Sequence, residues 1–150
     1  MTEPVKGQSK IAFWILVTVS VFYGYGALVH VLNMLGLSGF DWSTAPLKWQ
    51  VLDVVYLVLD MTVCFGLVKR LPVSLLAFYA AGLTQLVLYT ALRSWILDVP
   101  EPFTITADQD NYLTLLVVFH AVTLALVTYA LRVTSTGSQG TRHPANEQSA

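Results

Sequence analysis

Charged residues and cysteine are scarce in this sequence. Asp, Glu, Lys and Arg together make up 11% of the 150 residues, whereas an ordinary soluble domain has about 25%. The single cysteine, Cys64, excludes an internal disulfide framework and a metal site built from several cysteines. The formal net charge of −1 leaves no basic excess, so we expect no nucleic acid among the partners.

The sequence motifs of common soluble enzymes are also missing. The chain has no nucleophile elbow, no glycine loop for phosphate and no pair of redox cysteines. Gly24 and Gly26 lie inside an apolar stretch rather than between a strand and a helix. The sequence therefore assigns no catalytic residue and no metal ligand.

Apolar residues are abundant instead. They account for 55% of the chain and give a mean hydropathy of +0.64. Four stretches reach the ~20 residues that cross a bilayer, and backbone groups inside lipid must bond within their own segment. We therefore predict an all-α fold, an integral membrane four-helix transmembrane bundle within residues 1–133. Its helices are expected at 11–37, 49–68, 72–96 and 112–133.

The basic residues predict an orientation. Lys10, Lys69 and Arg70 lie at one side of the bundle, and most acidic residues outside the helices lie at the other. The positive-inside rule then places both termini in the cytoplasm. The first apolar run exceeds the 7–15 residues of a signal-peptide core, so we expect it to remain as a span. Residues 134–150, rich in Ser, Thr, Gly and Gln, are predicted to form a disordered cytoplasmic tail.

Polar side chains within the predicted spans indicate a candidate site. An ionisable residue in a membrane helix costs about 2.5–3.5 kcal/mol on insertion scales, so it normally faces the bundle interior. Asp53 and Asp60, one heptad apart, lie within about 20° of each other on the second helix. The polar faces are expected to converge in the outer half of the bundle. The predicted ligand-binding residues are His30, Asp53, Tyr56, Asp60, Gln85, Tyr89, Arg93 and His120.

Two pairings follow from these positions. Arg93 is the expected partner of Asp53, because an unpaired charge at that depth would be costly. Asp60 has no obvious cation, so we expect it to be protonated or bonded to His30, Gln85 or His120. The same contacts are also compatible with a purely structural role, since interhelical polar contacts stabilise membrane bundles by ~0.6 kcal/mol each.

Several short segments resemble a known group of membrane proteins. They are the stretch Gly24-Tyr25-Gly26-Ala27-Leu28-Val29-His30, the Lys-Arg-Leu-Pro hairpin at 69–72 and the short fourth span. Together they look like the small four-helix bacterial proteins called DoxX-like. The resemblance implies a bacterial inner-membrane location and a role linked to quinones or to a larger membrane assembly.

Two functional hypotheses remain open from the sequence. The first is a non-catalytic accessory or scaffold subunit, whose partners are the lipid bilayer and other membrane subunits or a second copy of the chain. The alternative is a binder of a lipophilic, quinone-like molecule with an oxidoreductase role. Haem is a further option because His30 and His120 are possible axial ligands, although no C-x-x-C-H motif is present. A transporter ranks last, because strong polar groups are sparse in the inner half.

Overall fold

The computed structural model describes residues 10–39, 41–101 and 103–139, with side chains described as far as Val133. Four of its helices are long and apolar enough to cross a membrane, which confirms the predicted all-α four-helix bundle and makes the chain a multi-pass membrane protein. The helices are α1 (Lys10–Met34), α2 (Leu47–Gly66), α3 (Pro72–Tyr89), the short α4 (Arg93–Leu97) and α5 (Ala107–Gln139). A single 3-10 turn, Trp42–Thr44, precedes α2.

The four long helices form a ring in which α1 packs against α2, α2 against α3, α3 against α5 and α5 against α1. We call the end that holds the start of α1 and the α2–α3 turn the terminal end. The opposite end, with residues 35–46 and 90–106, is the loop end. The fully buried apolar side chains lie in the half nearer the terminal end, and the largest are Phe78, Leu16, Leu67, Val63 and Val127. The apolar core therefore lies in that half.

The first helix ends at Met34 rather than at the predicted Leu37. Gly36 has a φ of +69°, a left-handed conformation that glycine adopts without a steric penalty. Its N–H donates to the Asn33 carbonyl, and the Leu37 N–H donates to the Leu32 carbonyl. These two bonds form a Schellman motif, which satisfies the last carbonyls and stops the helix.

The turn between α2 and α3 uses the same motif without a glycine. Arg70 has a φ of +55°, and its N–H donates to the Leu67 carbonyl. The Leu71 N–H donates to the Gly66 carbonyl. Pro72 then begins α3, where its missing N–H has no helical partner to lose.

The third predicted helix, 72–96, is broken after Tyr89. At the end of α3 the backbone N–H and the hydroxyl of Thr90 both donate to the Leu86 carbonyl, and Thr90 itself has a φ of −116° and a ψ of −81°, outside the helical region. The Leu92 N–H then reaches back five residues to the Val87 carbonyl. The chain resumes as the short α4, so residues 93–97 follow a new direction.

The last helix begins at Ala107 rather than at the predicted Tyr112. Thr106 accepts a hydrogen bond from the Gln109 N–H, and the Gln109 side chain accepts one from the Thr106 N–H. This reciprocal capping box fixes the helix start. At its other end α5 continues to Gln139, so the first part of the predicted disordered tail is helical; residues 140–150 lie outside the described residues.

Glycines let α1 and α2 approach closely near the middle of the bundle. A Cβ at Gly26 would overlap the Asp60 carboxylate oxygen Oδ2, and one at Gly24 would lie 3.0 Å from the Cys64 sulfur. The glycine-rich part of α1 is thus the surface against which α2 places Asp60.

We predict that Gly26→Ala destabilises the bundle by about 1–3 kcal/mol, as overpacking of an interior does. The measurement is the free energy of unfolding in mixed detergent micelles. In an Asp60→Ala background the overlapping atom is gone, so the same substitution should be neutral or stabilising. An equal loss in both backgrounds would contradict the proposed contact.

Candidate functional site

A cavity of about 620 Å³ lies between the long helices in the loop half of the bundle. Apolar side chains such as Leu52, Leu113 and Leu116 form much of its wall. All of the predicted site residues except Arg93 line it, namely His30, Asp53, Tyr56, Asp60, Gln85, Tyr89 and His120. The structure thus brings polar groups from α1, α2, α3 and α5 to one space.

Asp53 accepts hydrogen bonds from three side chains at the polar end of the cavity. His30 Nδ1 donates to its Oδ1 at 2.6 Å, and Asn33 Nδ2 donates to the same oxygen at 3.0 Å. Trp42 Nε1 donates to the other oxygen, Oδ2, at 2.9 Å. The carboxylate therefore joins α2 to α1 and to the loop between them.

The predicted pair between Arg93 and Asp53 is wrong. Arg93 instead contacts α5, with Nη2 2.7 Å from the Asp110 carboxylate and 3.1 Å from the Thr114 hydroxyl. The break at Thr90 explains the difference, because Arg93 begins α4 and no longer follows the α3 face that holds Gln85 and Tyr89. Arg93 links the α3–α4 junction to the start of α5.

Asp60 is buried against α1 in the cavity wall. Its Oδ2 lies 3.8 Å from His30 Nε2, so in place of the expected hydrogen bond to His30 there is a longer contact, beyond hydrogen-bond distance. The described residues provide no hydrogen-bond partner for its Oδ1 or for the Tyr23 hydroxyl, and both side chains line the cavity. Only 4% of the surface of Asp60 and 3% of that of Tyr23 is exposed. Since buried polar groups are normally paired, these two unpaired groups are unusual features of the cavity wall.

Aromatic rings surround the two imidazoles. The ring of Tyr56 stacks on that of His30, with centroids 6.1 Å apart and planes 19° apart. Tyr56 also donates its hydroxyl to Thr84 Oγ1 on α3. The His120 Nδ1–H donates to the Leu116 carbonyl, and Tyr23 meets the His120 ring edge to face. These contacts hold both histidine rings in defined orientations.

The segment after α3 covers the cavity at the loop end. Ile96, Leu97 and Ile105 line the cavity from this side. Lys48 Nζ donates to the carbonyls of Trp95 and Asp98, at 2.5 and 2.6 Å, and Trp49 Nε1 donates to the Ile96 carbonyl at 2.9 Å. Lys48 and Trp49, in the first turn of α2, therefore hold the covering segment in place through its backbone carbonyls.

The loop between α1 and α2 has its own hydrogen bonds. Asp41 caps the 3-10 turn by accepting from the backbone N–H and the hydroxyl of Ser43. These bonds lower the pKa of the Asp41 carboxyl below its usual value. The turn positions Trp42 above Asp53, and the Gln50 side chain donates to the Trp42 carbonyl.

Several residues of the site were not among the predicted ones. Asn33 shares the His30 face of α1, so helical periodicity contains a signal for it. Tyr23 lies on the same face of α1, two turns further from the loop end than His30. Trp42 precedes α2 in a loop, and no periodic pattern connects it to Asp53. Its place depends on the capped turn.

No match was found among protein-family models, curated proteins or solved structures. The DoxX-like resemblance therefore stays an expectation from the sequence. Among the described residues, no group of three or more His, Cys, Asp and Glu side chains is arranged to hold a metal ion. The site is consequently described by its cavity and its hydrogen bonds.

We predict that Asp53→Ala lowers the free energy of unfolding by about 3 kcal/mol, because removing the buried carboxylate leaves the His30, Asn33 and Trp42 donors without their acceptor. The matched control is Asp110→Ala, which breaks the half-exposed Arg93 pair and should lower it by less than about 1 kcal/mol. Both values come from unfolding titrations in mixed micelles. Equal losses would show that the Asp53 contacts do not hold the loop end together.

Proposed function

We propose that the chain binds a lipophilic small molecule within the membrane, with the polar head of the ligand at the His30, Asp53 and Asp60 end of the cavity. The observation that carries this proposal is the cavity of about 620 Å³, which combines apolar walls with a few converging polar groups. Ligand sites in proteins typically have this volume and this composition. A quinone-like ligand, as the DoxX-like resemblance implies, is one class with such a shape.

The position of the cavity supports entry from the bilayer. Phe22 and Tyr25 on α1 and Leu115 on α5 line the cavity, yet 50–62% of each side chain is exposed. We infer that the cavity reaches the outer surface between α1 and α5. The backbone-anchored segment after α3 covers the loop end. A ligand dissolved in the lipid would therefore reach the cavity by a shorter route than a ligand that arrives from the loop end.

We also propose a bacterial inner-membrane location with both termini in the cytoplasm, from the distribution of Lys and Arg and from the resemblance. The polar end of the cavity would then face outward. The accessory-subunit hypothesis stays a prediction. Exposed apolar side chains such as Leu28, Val58, Leu76 and Val118 occur on all four long helices, as contact with lipid requires, and they do not distinguish a partner surface.

We predict that Leu116→Trp abolishes ligand binding, because the larger ring fills the cavity next to His120. The probe is a decyl-substituted benzoquinone, titrated by calorimetry into the purified protein in phosphatidylcholine nanodiscs. The heat from empty nanodiscs is subtracted.

Val118→Trp is the matched control, because Val118 lies on the same helix and 54% of its side chain is exposed. This variant should bind the probe as the unaltered chain does. Equal binding by the Leu116→Trp variant would refute the proposal. So would the absence of saturable binding to the unaltered protein by all three probes, namely the benzoquinone, dodecanol and dodecylammonium.

A further inference from the structure

The described cavity lining contains two carboxylates, and only that of Asp53 is hydrogen-bonded to a histidine ring. Among the described lining residues the acidic groups are Asp53 and Asp60, and no Lys or Arg is among them. The cationic candidates are the two histidines, His30 and His120. The distribution of charge therefore depends on which carboxylate each histidine contacts.

His30 is already engaged by Asp53. The 2.6 Å bond from Nδ1 fixes its proton toward that carboxylate, whereas its Nε2 remains 3.8 Å from Asp60, beyond hydrogen-bond distance. Asn33 and Trp42 add two more donors to Asp53. Asp53 thus has three hydrogen-bond donors, whereas Asp60 has only the 3.8 Å contact with the same His30 imidazole.

His120 does not supply the missing charge to Asp60 in the described contacts. Its Nδ1–H is donated to the Leu116 carbonyl, and its ring lies against Tyr23 and Phe119. A buried carboxylate without a close cation is costly in a low-dielectric interior. Its charge must be balanced by a proton or by a positively charged ligand.

The surroundings of Asp60 suit a cation in a second way. The side chains of Tyr23, Tyr56 and Tyr89 also line the cavity, and the face of an aromatic ring is electron-rich. Aromatic faces together with a carboxylate are the recurrent chemistry by which proteins recognise organic ammonium groups. The unpartnered hydroxyl of Tyr23 adds an acceptor for an ammonium N–H.

We propose that the ligand of this cavity is an amphipathic amine, whose protonated nitrogen binds between Asp60 and the tyrosine rings while its apolar part lies along the leucine-rich wall. This inference rests on the proposed function and specifies the head group. A neutral head group, such as that of a quinone, is the alternative that the experiment separates.

The experiment compares dodecylammonium with dodecanol, which share a chain and differ in charge. Each is titrated by calorimetry into the full chain in phosphatidylcholine nanodiscs, with empty nanodiscs as the reference. We expect the protein to bind dodecylammonium at least about tenfold more tightly than dodecanol, since a desolvated charge pair contributes more than a neutral contact. Equal affinity for the two probes would overturn the inference.

Two variants locate the charge effect. Asp60→Asn keeps the side-chain shape and should remove most of the preference for dodecylammonium while dodecanol binding stays within about twofold. Asp108→Asn, a matched change at an exposed position in the first turn of α5, should leave both affinities unchanged. A preference that persists in a folded Asp60→Asn protein would also overturn the inference. If Asp60→Asn fails to fold, the comparison of probes on the unaltered chain decides.

The outcomes separate this inference from the proposed function. Dodecanol that binds the unaltered chain and fails to bind the Leu116→Trp variant, with no preference for the amine, would leave the lipophilic site in place with a neutral head group. Saturable binding of neither probe, together with none of the benzoquinone, would remove both proposals.

Discussion

A charged carboxylate inside a membrane bundle is stabilised by hydrogen-bond donors, and the contacts around Asp53 organise the loop half of this structure. Asp53 receives bonds from α1, through His30 and Asn33, and from the interhelical loop, through Trp42. In hydrocarbon the alternative to these bonds is an unsatisfied charge, which costs several kcal/mol. The same bonds fix the His30 ring, and the orientation of that ring sets its distance to Asp60. One buried acid therefore positions the polar end of the cavity.

The division of the bundle into a filled half and a hollow half follows from side-chain size. Toward the terminal end, Leu16, Phe78 and Val127 fill the space between the helices. Toward the loop end the facing side chains are polar and are held in hydrogen bonds between the helices, as His30 and Asp53 are. They do not fill the space between the helices, so the cavity coincides with the polar stripe.

Periodicity and hydropathy were sufficient to predict the four spans and seven of the 23 residues that line the cavity. Asp53 and Asp60 share a stripe because they are seven residues apart, and Gln85 and Tyr89 share one because they are four apart. The capping box at Thr106 and Gln109 was also present in the sequence, but the apolar pattern alone placed the helix start too late. Local chemistry, rather than hydropathy, decides where such helices begin and end.

The placement of Arg93 shows what a helical projection cannot supply. Counting along an unbroken α3 put it beside Asp53, whereas α3 ends at Tyr89 and the chain resumes at Arg93 as the separate helix α4. Trp42, which is eleven residues before its partner Asp53, likewise depends for its position on a turn capped by Asp41. The wrong pairing of Arg93 and the unpredicted contact of Trp42 both lie where the chain leaves regular helix, because the direction of a loop is set by tertiary contacts.

The partly exposed rings of Phe22 and Tyr25, on the helix α1 that packs against α5, have a consequence for what controls the occupancy of the cavity by a ligand. A recess that opens toward acyl chains samples solutes at their mole fraction in the membrane, which for a hydrophobic compound greatly exceeds its aqueous concentration. Weak intrinsic affinity then suffices for high occupancy. Partitioning into the membrane enriches all hydrophobic compounds alike. Selectivity among them must therefore come from the few polar atoms of the cavity wall.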